Sequence, residues 1–481
     1  MQKNIRRNYL YNMLYEILVL LTPLITTPYI SRVLQPEGVG LYSYSYSIVT
    51  YFILFAGFGS VAYGRRQIAF CCDDKKAVTR VFYEVLLLRI LFTAISIAVY
   101  LILIINTDNK LLFAAQGVFL IAVAFDISWF FQGLEEFGTV VFRNILIKLL
   151  NIAYIFIFIR SQDDLIVYVI GLSSMTLLGN ILIWPYLKKY ICKIRFSELN
   201  PFCHFKEMLQ LFVPTIAIQV YTVLDKTMIG LFCSDSVENG YYEQAEKIVK
   251  MVLTVITSLS AVMVPRISST FAKGDNDAVK SYMYKSYRFV WLLGLPMVTG
   301  LICVSDYFVP WFLGDGFDKA SLLIKVLSFL ILAIGLNTIT GQQFLISTKR
   351  QNFYTVSVCI GAVVNVILNL ILIPRFFSLG AALGTLAAET AICVVQFVYV
   401  SYGKHYSVMK ILSMSCKYLI ASLIMGICIT ALKLIVPCDI FGTFVLIVSG
   451  IAVYALLLII LRDDLLISIF RDTFKKIKRK A

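Results

Sequence analysis

The chain has 481 residues, of which 59% are apolar, 14% aromatic and only 15% charged. Soluble domains carry roughly a quarter charged residues, so this composition excludes a water-soluble enzyme, a nucleic-acid-binding protein and a disordered scaffold. The formal net charge of +15 then needs an explanation inside a membrane chain, where cationic loops collect on the cytoplasmic side.

A bilayer core takes about 20 apolar residues of helix. In chain order, such runs lie near residues 10–30, 41–63, 81–105, 111–131, 141–159, 164–186, 209–232, 240–264, 285–304, 318–346, 352–373, 378–402, 412–435 and 440–461, which predicts fourteen spans. Asp126, Arg143 and Lys148 interrupt the fourth and fifth. Met1 to Asn8 is a short basic head, and the apolar run after it continues through Tyr29. That is long enough to span, and it lacks the small-residue site of a cleaved signal peptide. Every loop is short, so the protein's work is expected among its helices.

Placing the N-terminus in the cytoplasm sorts the charges. Lys3, Arg6, Arg7, Arg65, Arg66, Lys75, Lys76 and Arg80 fall inside, as do the groups around 188–206, 266–288, 349–350, 404–417 and 462–480. The outside loops hold only Arg32, Lys110, Arg160, Lys319 and Arg375. So lopsided a split predicts an even number of helices with both termini cytoplasmic, and the excess charge reads as topology plus attraction to anionic lipids.

The eleven cysteines show no C-x-x-C spacing, and most lie in apolar runs where Cys acts as a small hydrophobe; neither a disulfide framework nor a metal site is expected. His204 and His405 both fall in loops, no P-loop or Gly-rich nucleotide fingerprint appears, and no cofactor is expected. A glycan polymerase or ligase would want a large outer loop, which the chain lacks.

Two stretches echo each other about 200 residues apart. A helix containing Pro23 is followed by Gly40-Leu41-Tyr42 and a helix closing at Arg65 and Arg66; a helix containing Pro214 is followed by Gly240-Tyr241-Tyr242 and a helix closing at Pro265-Arg266. Six helices separate the copies, an even number, so both enter the membrane in the same direction. This predicts two six-helix lobes related by an axis along the membrane normal, with a substrate site between them. The expected division is 1–186 and 209–403 for the lobes, 187–208 for a cytoplasmic linker, 404–461 for two additional helices and 462–481 for a basic tail.

Ionisable groups inside spans are expensive unless they face protein or water, which makes them candidates for function. In the seventh span Gln219, Thr222 and Lys226 share one face, with Asp225 beside it. In the eighth, Glu243, Glu246, Lys247 and Lys250 follow i, i+3, i+4, i+7, giving the favourable Glu-before-Lys pairs 243–247 and 246–250. Such a stripe lines an aqueous cavity or forms an internal salt-bridge lattice. Arg89, roughly 13 Å past Arg80 at 1.5 Å per residue, and Lys148 are the matching cations of the first half, each able to pair with Glu84 or Asp126. Asn12 and Glu16 form a polar pair in the first span, and Glu389 is alone in the twelfth. Asn337, Thr340, Gln342 and Gln343 in the tenth, with Asn365 and Asn369 in the eleventh, are amides and hydroxyls that serve as interhelical glue or ligand contacts. Tyr42, Tyr44 and Tyr46 alternate with Ser43, Ser45 and Ser47, an interfacial aromatic belt or a platform for sugar faces.

The segments Lys3-Asn4, Pro28-Tyr29-Ile30-Ser31-Arg32-Val33-Leu34 and Gly38-Val39-Gly40-Leu41-Tyr42 resemble the N-terminus of polysaccharide-biosynthesis flippases. So do Leu224-Asp225-Lys226 with Met228-Ile229-Gly230, Gly240-Tyr241-Tyr242 with Ala245-Glu246-Lys247, and Val264-Pro265-Arg266-Ile267-Ser268. These belong to a superfamily that also contains multidrug/toxin extruders and the peptidoglycan-precursor flippase. The resemblance implies an all-α integral membrane protein of the bacterial plasma membrane, V-shaped, with two pseudo-symmetric six-helix lobes, two peripheral C-terminal helices and a central cavity. It implies a transporter, not an enzyme, that moves undecaprenyl-diphosphate-linked oligosaccharide from the cytoplasmic to the outer leaflet by alternating access, for capsule, O-antigen or exopolysaccharide. Polysaccharide polymerase and glycosyltransferases would be its partners. Arg89, Lys148, Lys226, Lys247 and Lys250 are then expected to contact phosphate or acidic sugar, with Asp225, Glu243, Glu246 and Glu389 as coupling or cavity groups. An ion-coupled multidrug/toxin extruder is the alternative.

Overall fold

Proline and the residue before it set the first reversal of the chain. In the computed structural model, which describes residues 2–233, 235–403 and 405–465, helix α1 runs Gln2–Gly57 and contains Pro23, Pro28 and Pro36. Gln35 precedes Pro36 and has φ 56° and ψ 172°. A proline ring disfavours right-handed helix at the residue before it; Thr22 and Thr27 stay helical before Pro23 and Pro28, but at Gln35 the helix breaks. Its first half packs along α6 (Phe137–Phe158), with Tyr15 in electrostatic reach of Arg143 and the Tyr29 hydroxyl donating to Ile159 O at 2.6 Å. Its second half packs along α3 (Lys75–Ile105), Phe52 edge-on to Tyr100 and Phe58 stacked on Phe92. Lys75 and Arg143 both reach the 180–189 segment, so the two halves of α1 cross in opposite senses.

The described chain divides into two compact units, Met1–Gly240 and Tyr241–Ala481. The first adds α2 (Ser60–Phe70), α4 (Lys110–Phe125), α5 (Ser128–Gly133), α7 (Leu165–Ile181), α8 (Trp184–Leu187) and α9 (Phe205–Phe232). The second begins within α10 (Val237–Ala272) and continues through α11 (Asn276–Leu313), α12 (Asp318–Leu327), α13 (Leu330–Thr338), a π-helix over Ile339–Ile346, α14 (Gln351–Phe376), α15 (Ser378–Tyr402), α16 (Val408–Leu432) and α17 (Ile440–Ile460). The boundary falls at Gly240, one span later than the lobe boundary expected from the repeat. Among the described residues there is no β-strand.

Twelve helical segments of the described chain are long and apolar enough to cross a membrane. The first, Ile17–Phe70, holds 54 residues and supplies two crossings through the break at Gln35. Helix α9, 28 residues long, occupies the predicted seventh span. Helices α4 and α5 together fill one crossing, as do α12, α13 and the π-helix. Large apolar side chains face outward along these spans, among them Val363, Ile367 and Leu370 on α14 and Ile427 on α16, the pattern of helices solvated by lipid. Helix α16 packs on α11 through Trp291 Nε1, which donates to Ile411 O at 3.0 Å, and α17 through the Tyr454 hydroxyl, which donates to Leu292 O at 2.8 Å.

Loops predicted to share a side of the membrane gather together within each unit. In the first, Arg66 meets Glu207, Lys75 Nζ donates to Lys189 O at 3.2 Å, and Cys192 N donates to Thr79 Oγ1 at 3.0 Å. At the opposite end Gln162 reaches Glu37 at 3.3 Å. In the second, Ser407 N donates to the Tyr284 hydroxyl at 2.9 Å, and Arg288 donates to Asp463 at 3.0 Å. The other end joins Asp306 to Lys325 and Lys433, and Trp311 to Thr443. The Asn12–Glu16 pair, the Pro214 side chain, Lys404 and the tail from residue 466 lie outside the described residues or side chains.

Candidate functional site

The repeat glycines meet. A side chain on Gly40 would overlap Ser236 O, and one on Gly240 would overlap Pro36 O. Position 36 precedes Gly40 by four residues, and 236 precedes Gly240 by four, so the contact is reciprocal, as two-fold-related copies require. Only residues lacking a Cβ let the two backbones approach this closely. Beside them runs a polar seam between α1 and α9. Thr227 Oγ1 donates to Ser47 Oγ at 3.0 Å and lies 2.9 Å from the Tyr51 hydroxyl. Gln116 Nε2 of α4 donates to Ser45 Oγ at 3.0 Å. Asp225 is buried within electrostatic reach of Tyr51. Lys226 is half-buried, its carbonyl accepting from Asn239 Nδ2 at 2.8 Å. Ser43, Ser45 and Ser47 are buried, while Tyr42 packs on Tyr46 and Tyr168, and Tyr44 on Phe113. These rings make packing contacts, and Tyr46 keeps an exposed face.

Arg89, an expected phosphate or acidic-sugar contact, is held by protein groups. Its Nε donates to Val123 O at 2.7 Å, Nη1 to Ser60 Oγ at 2.6 Å and Nη2 to Asp126 Oδ2 at 3.2 Å, and the side chain is only 3% exposed. Three of its five N–H donors are bonded to protein, and the buried side chain is turned to these partners in this conformation. Asp126 also accepts from Ser128 N at 3.0 Å, which starts α5 after α4 has ended. Lys148 is half-buried on α6 and pairs with neither Glu84 nor Asp126. Asn151, one turn on, has a buried Oδ1 without a hydrogen bond. The neighbouring Arg143 is held by Asn144 and Asn180.

Glu84 serves a cluster that sequence reasoning missed. Its Oε2 lies 2.7 Å from His204 Nε2, and the Tyr63 hydroxyl lies 2.6 Å from His204 Nδ1. Oε1 accepts from Arg80 Nε at 3.0 Å and from Asn200 N at 2.8 Å. This clasp fastens the 187–208 connection to α2 and α3. Glu84, Cys203 and His204 bring their donor atoms within 4.8 Å of one another, a spacing open to a metal ion. Both ring nitrogens of His204 and both oxygens of Glu84 already have protein partners. The visible signal was the i,i+4 pair Arg80–Glu84; the His204 contact depends on a separation of 120 residues in sequence.

In the second unit the α10 stripe holds Glu243 and Lys247 half-buried, Glu246 buried and Lys250 exposed. Glu246 and Lys250 form the expected pair at 2.7 Å. Glu389 of α15 accepts from Asn337 Nδ2 at 2.7 Å. Gln343 donates to Ser260, and Thr340 lies 2.7 Å from the Tyr287 hydroxyl. Asn369 donates to Asn365, which reaches Thr385. These contacts tie helices together, the ordinary use of amides in lipid.

The family model described as "Polysaccharide biosynthesis protein" matches residues 5–271, and the MatE model matches residues 211–371. The "Putative O-antigen transporter" of Escherichia coli (strain K12) is 24% identical over 408 residues, covering 83% of this chain and 98% of that protein. Lipid II flippase MurJ of Bacillus subtilis (strain 168) is 24% identical over 187 residues, covering 38% of this chain and 34% of its own. Among solved structures, lipid II flippase MurJ in an inward closed conformation superposes with a TM-score of 0.73 at 19% identity, covering 95% of this chain and 99% of that one. An inward-facing multidrug resistance MATE family transporter of the MOP superfamily gives 0.65 at 14% identity, covering 82% and 94%. The helical membrane fold is that of these transporters, and with more than half its length matched the chain belongs to the polysaccharide biosynthesis protein family.

Proposed function

We propose that the protein is a flippase that carries undecaprenyl-diphosphate-linked oligosaccharide from the cytoplasmic to the outer leaflet of the bacterial plasma membrane by alternating access, with both termini cytoplasmic. The observation that carries this reading is the set of ionisable groups in membrane-crossing helices, Asp225 and Lys226 on α9 with Glu243, Glu246, Lys247 and Lys250 on α10, all inside the family match. A diphosphate and a sugar chain cannot cross hydrocarbon without polar groups that replace their water. Lys148, Lys226, Lys247 and Lys250 are the assigned phosphate or acidic-sugar contacts, and Asp225, Glu243, Glu246 and Glu389 the coupling or cavity groups. Arg89 takes a structural role instead. The O-antigen transporter and flippase names among the relatives support this substrate class.

Deleting the gene should abolish surface polymer and leave lipid-linked repeat units on the inner leaflet. Lys226→Ala and Lys250→Ala should reach the membrane yet fail to restore polymer. Normal polymer in the deletion strain rejects the reading, and drug hypersensitivity with normal polymer supports a multidrug extruder instead.

A further inference from the structure

The second unit contains a cavity of about 220 Å³ whose polar walls are cationic. Asn276 and Lys280 line it from the first turns of α11, Phe344 and Thr348 from the π-helix and its exit, Arg350 from the start of α14, and His405 from the connection before α16. No lining residue is acidic.

The backbone holds Arg350 in place. Lys349 adopts φ 62°, its N–H donates to Ile346 O at 3.1 Å, and Arg350 N donates to Leu345 O at 2.7 Å. This is the six-to-one closure that ends helices, normally built on glycine. A lysine there costs on the order of 1 kcal/mol, and the turn sets Arg350 over the Phe344 ring, 5.2 Å from its centroid. The Arg350 Nη1 is buried with no hydrogen-bond partner. Leaving such a donor unmet costs about 1–3 kcal/mol, so the Arg350 Nη1 calls for a partner such as a water, an ion or a ligand.

The other two basic side chains have little compensation of their own. His405 sits against Phe344 and Tyr399; burial, then Arg350 and Lys280, hold its pKa below the usual value. Among the described residues Lys280 pairs with the exposed Asp277, at 3.4 Å. The carboxylate of Asp275 is committed to Ala278 N at 2.9 Å. Two full positive charges and an ionisable ring thus converge on a space with no anion in it.

We propose that this cavity binds a phosphate group, presented by an anionic phospholipid headgroup or as free phosphate. A tetrahedral phosphate can accept from Arg350, Lys280 and a His405 ring N–H at once, each bond charge-assisted by the anion. The cavity lies at the end of the unit where the basic loops gather, and basic pockets between membrane helices recognise lipid headgroups.

The test uses the full chain in nanodiscs. One arm uses phosphatidylcholine alone and titrates inorganic phosphate by calorimetry. The other adds phosphatidylglycerol and counts lipids retained in native mass spectrometry. Arg350→Gln and His405→Gln should each weaken binding about tenfold or more in the arm that reports it. Lys285→Gln, a basic neighbour outside the cavity, should leave it unchanged. Retention of phosphatidylglycerol identifies a lipid source, and saturable binding of inorganic phosphate a free one; both support the site. Binding in neither arm, or equal binding by wild type and His405→Gln, overturns it. His405→Gln decides the question even if Arg350→Gln fails to fold. Because the readout is binding by purified protein, loss of transport does not enter it.

Discussion

A guanidinium inside a membrane-crossing helix persists only where protein groups replace its water. Arg89 has this replacement for three of its five N–H donors, from Ser60, the Val123 carbonyl and Asp126. Removing one member of such a buried pair leaves an uncompensated charge and costs about 3 kcal/mol or more. Asp126→Ala should therefore lower the melting temperature in detergent by several degrees, whereas Arg89→Met with Asp126→Leu should lose much less. If the single and double variants melt alike, the pair is not what holds Arg89. The sequence showed that Arg89 was deep and that Asp126 could meet it. It could not show that Ser60 and a carbonyl would take two more of its donors, because those partners depend on how α2 and α4 pack on α3. The same limit explains Glu84: spacing alone offered it to Arg89, but the fold turned it toward His204.

At the scale of elements, the spans were legible because lipid demands long apolar helices, and every predicted span lies on a helix of the described chain. Their internal breaks were not. Asp126 interrupts α4 and α5 by capping Ser128 N, and the π-helix at Ile339–Ile346 leaves no mark in composition. The repeat was visible at Gly40 and Gly240, but its physical meaning emerged only when each glycine was found against the other's preceding turn. That reciprocity yields a prediction. Gly40→Ala puts a methyl group into Ser236 O, and Gly240→Ala puts one into Pro36 O. Overpacking of this kind costs about 1–3 kcal/mol. Both variants should melt earlier and reduce polymer production. Gly57→Ala, whose added carbon meets nothing within 4 Å, should behave as wild type. Equal behaviour of the three would mean that the close approach carries no energy.

For the whole molecule, the charge pattern predicts an orientation that native cysteines can test. Cys72 and Cys203 are exposed in connections expected to be cytoplasmic, and Cys438 is exposed in a connection expected outside. Each sits among its own set of neighbours: Cys203 beside the Glu84 clasp, Cys438 reaching Asp306 O. In variants retaining one of these cysteines, an impermeant maleimide applied to intact cells should label Cys438. Cys72 and Cys203 should label only after the membrane is opened. Burial pushes the Cys203 thiol up, with Glu84 adding to the effect. Since the thiolate is the reacting form, its labelling at pH 7 should be slow and should accelerate as pH rises toward 9. Glu84→Gln should make Cys203 react faster at pH 7 without changing the side from which it is reached. The two readouts separate orientation from local electrostatics: labelling of Cys203 in intact cells would invert the assigned topology, whereas an unchanged rate in Glu84→Gln would remove only the influence of Glu84 on the thiol.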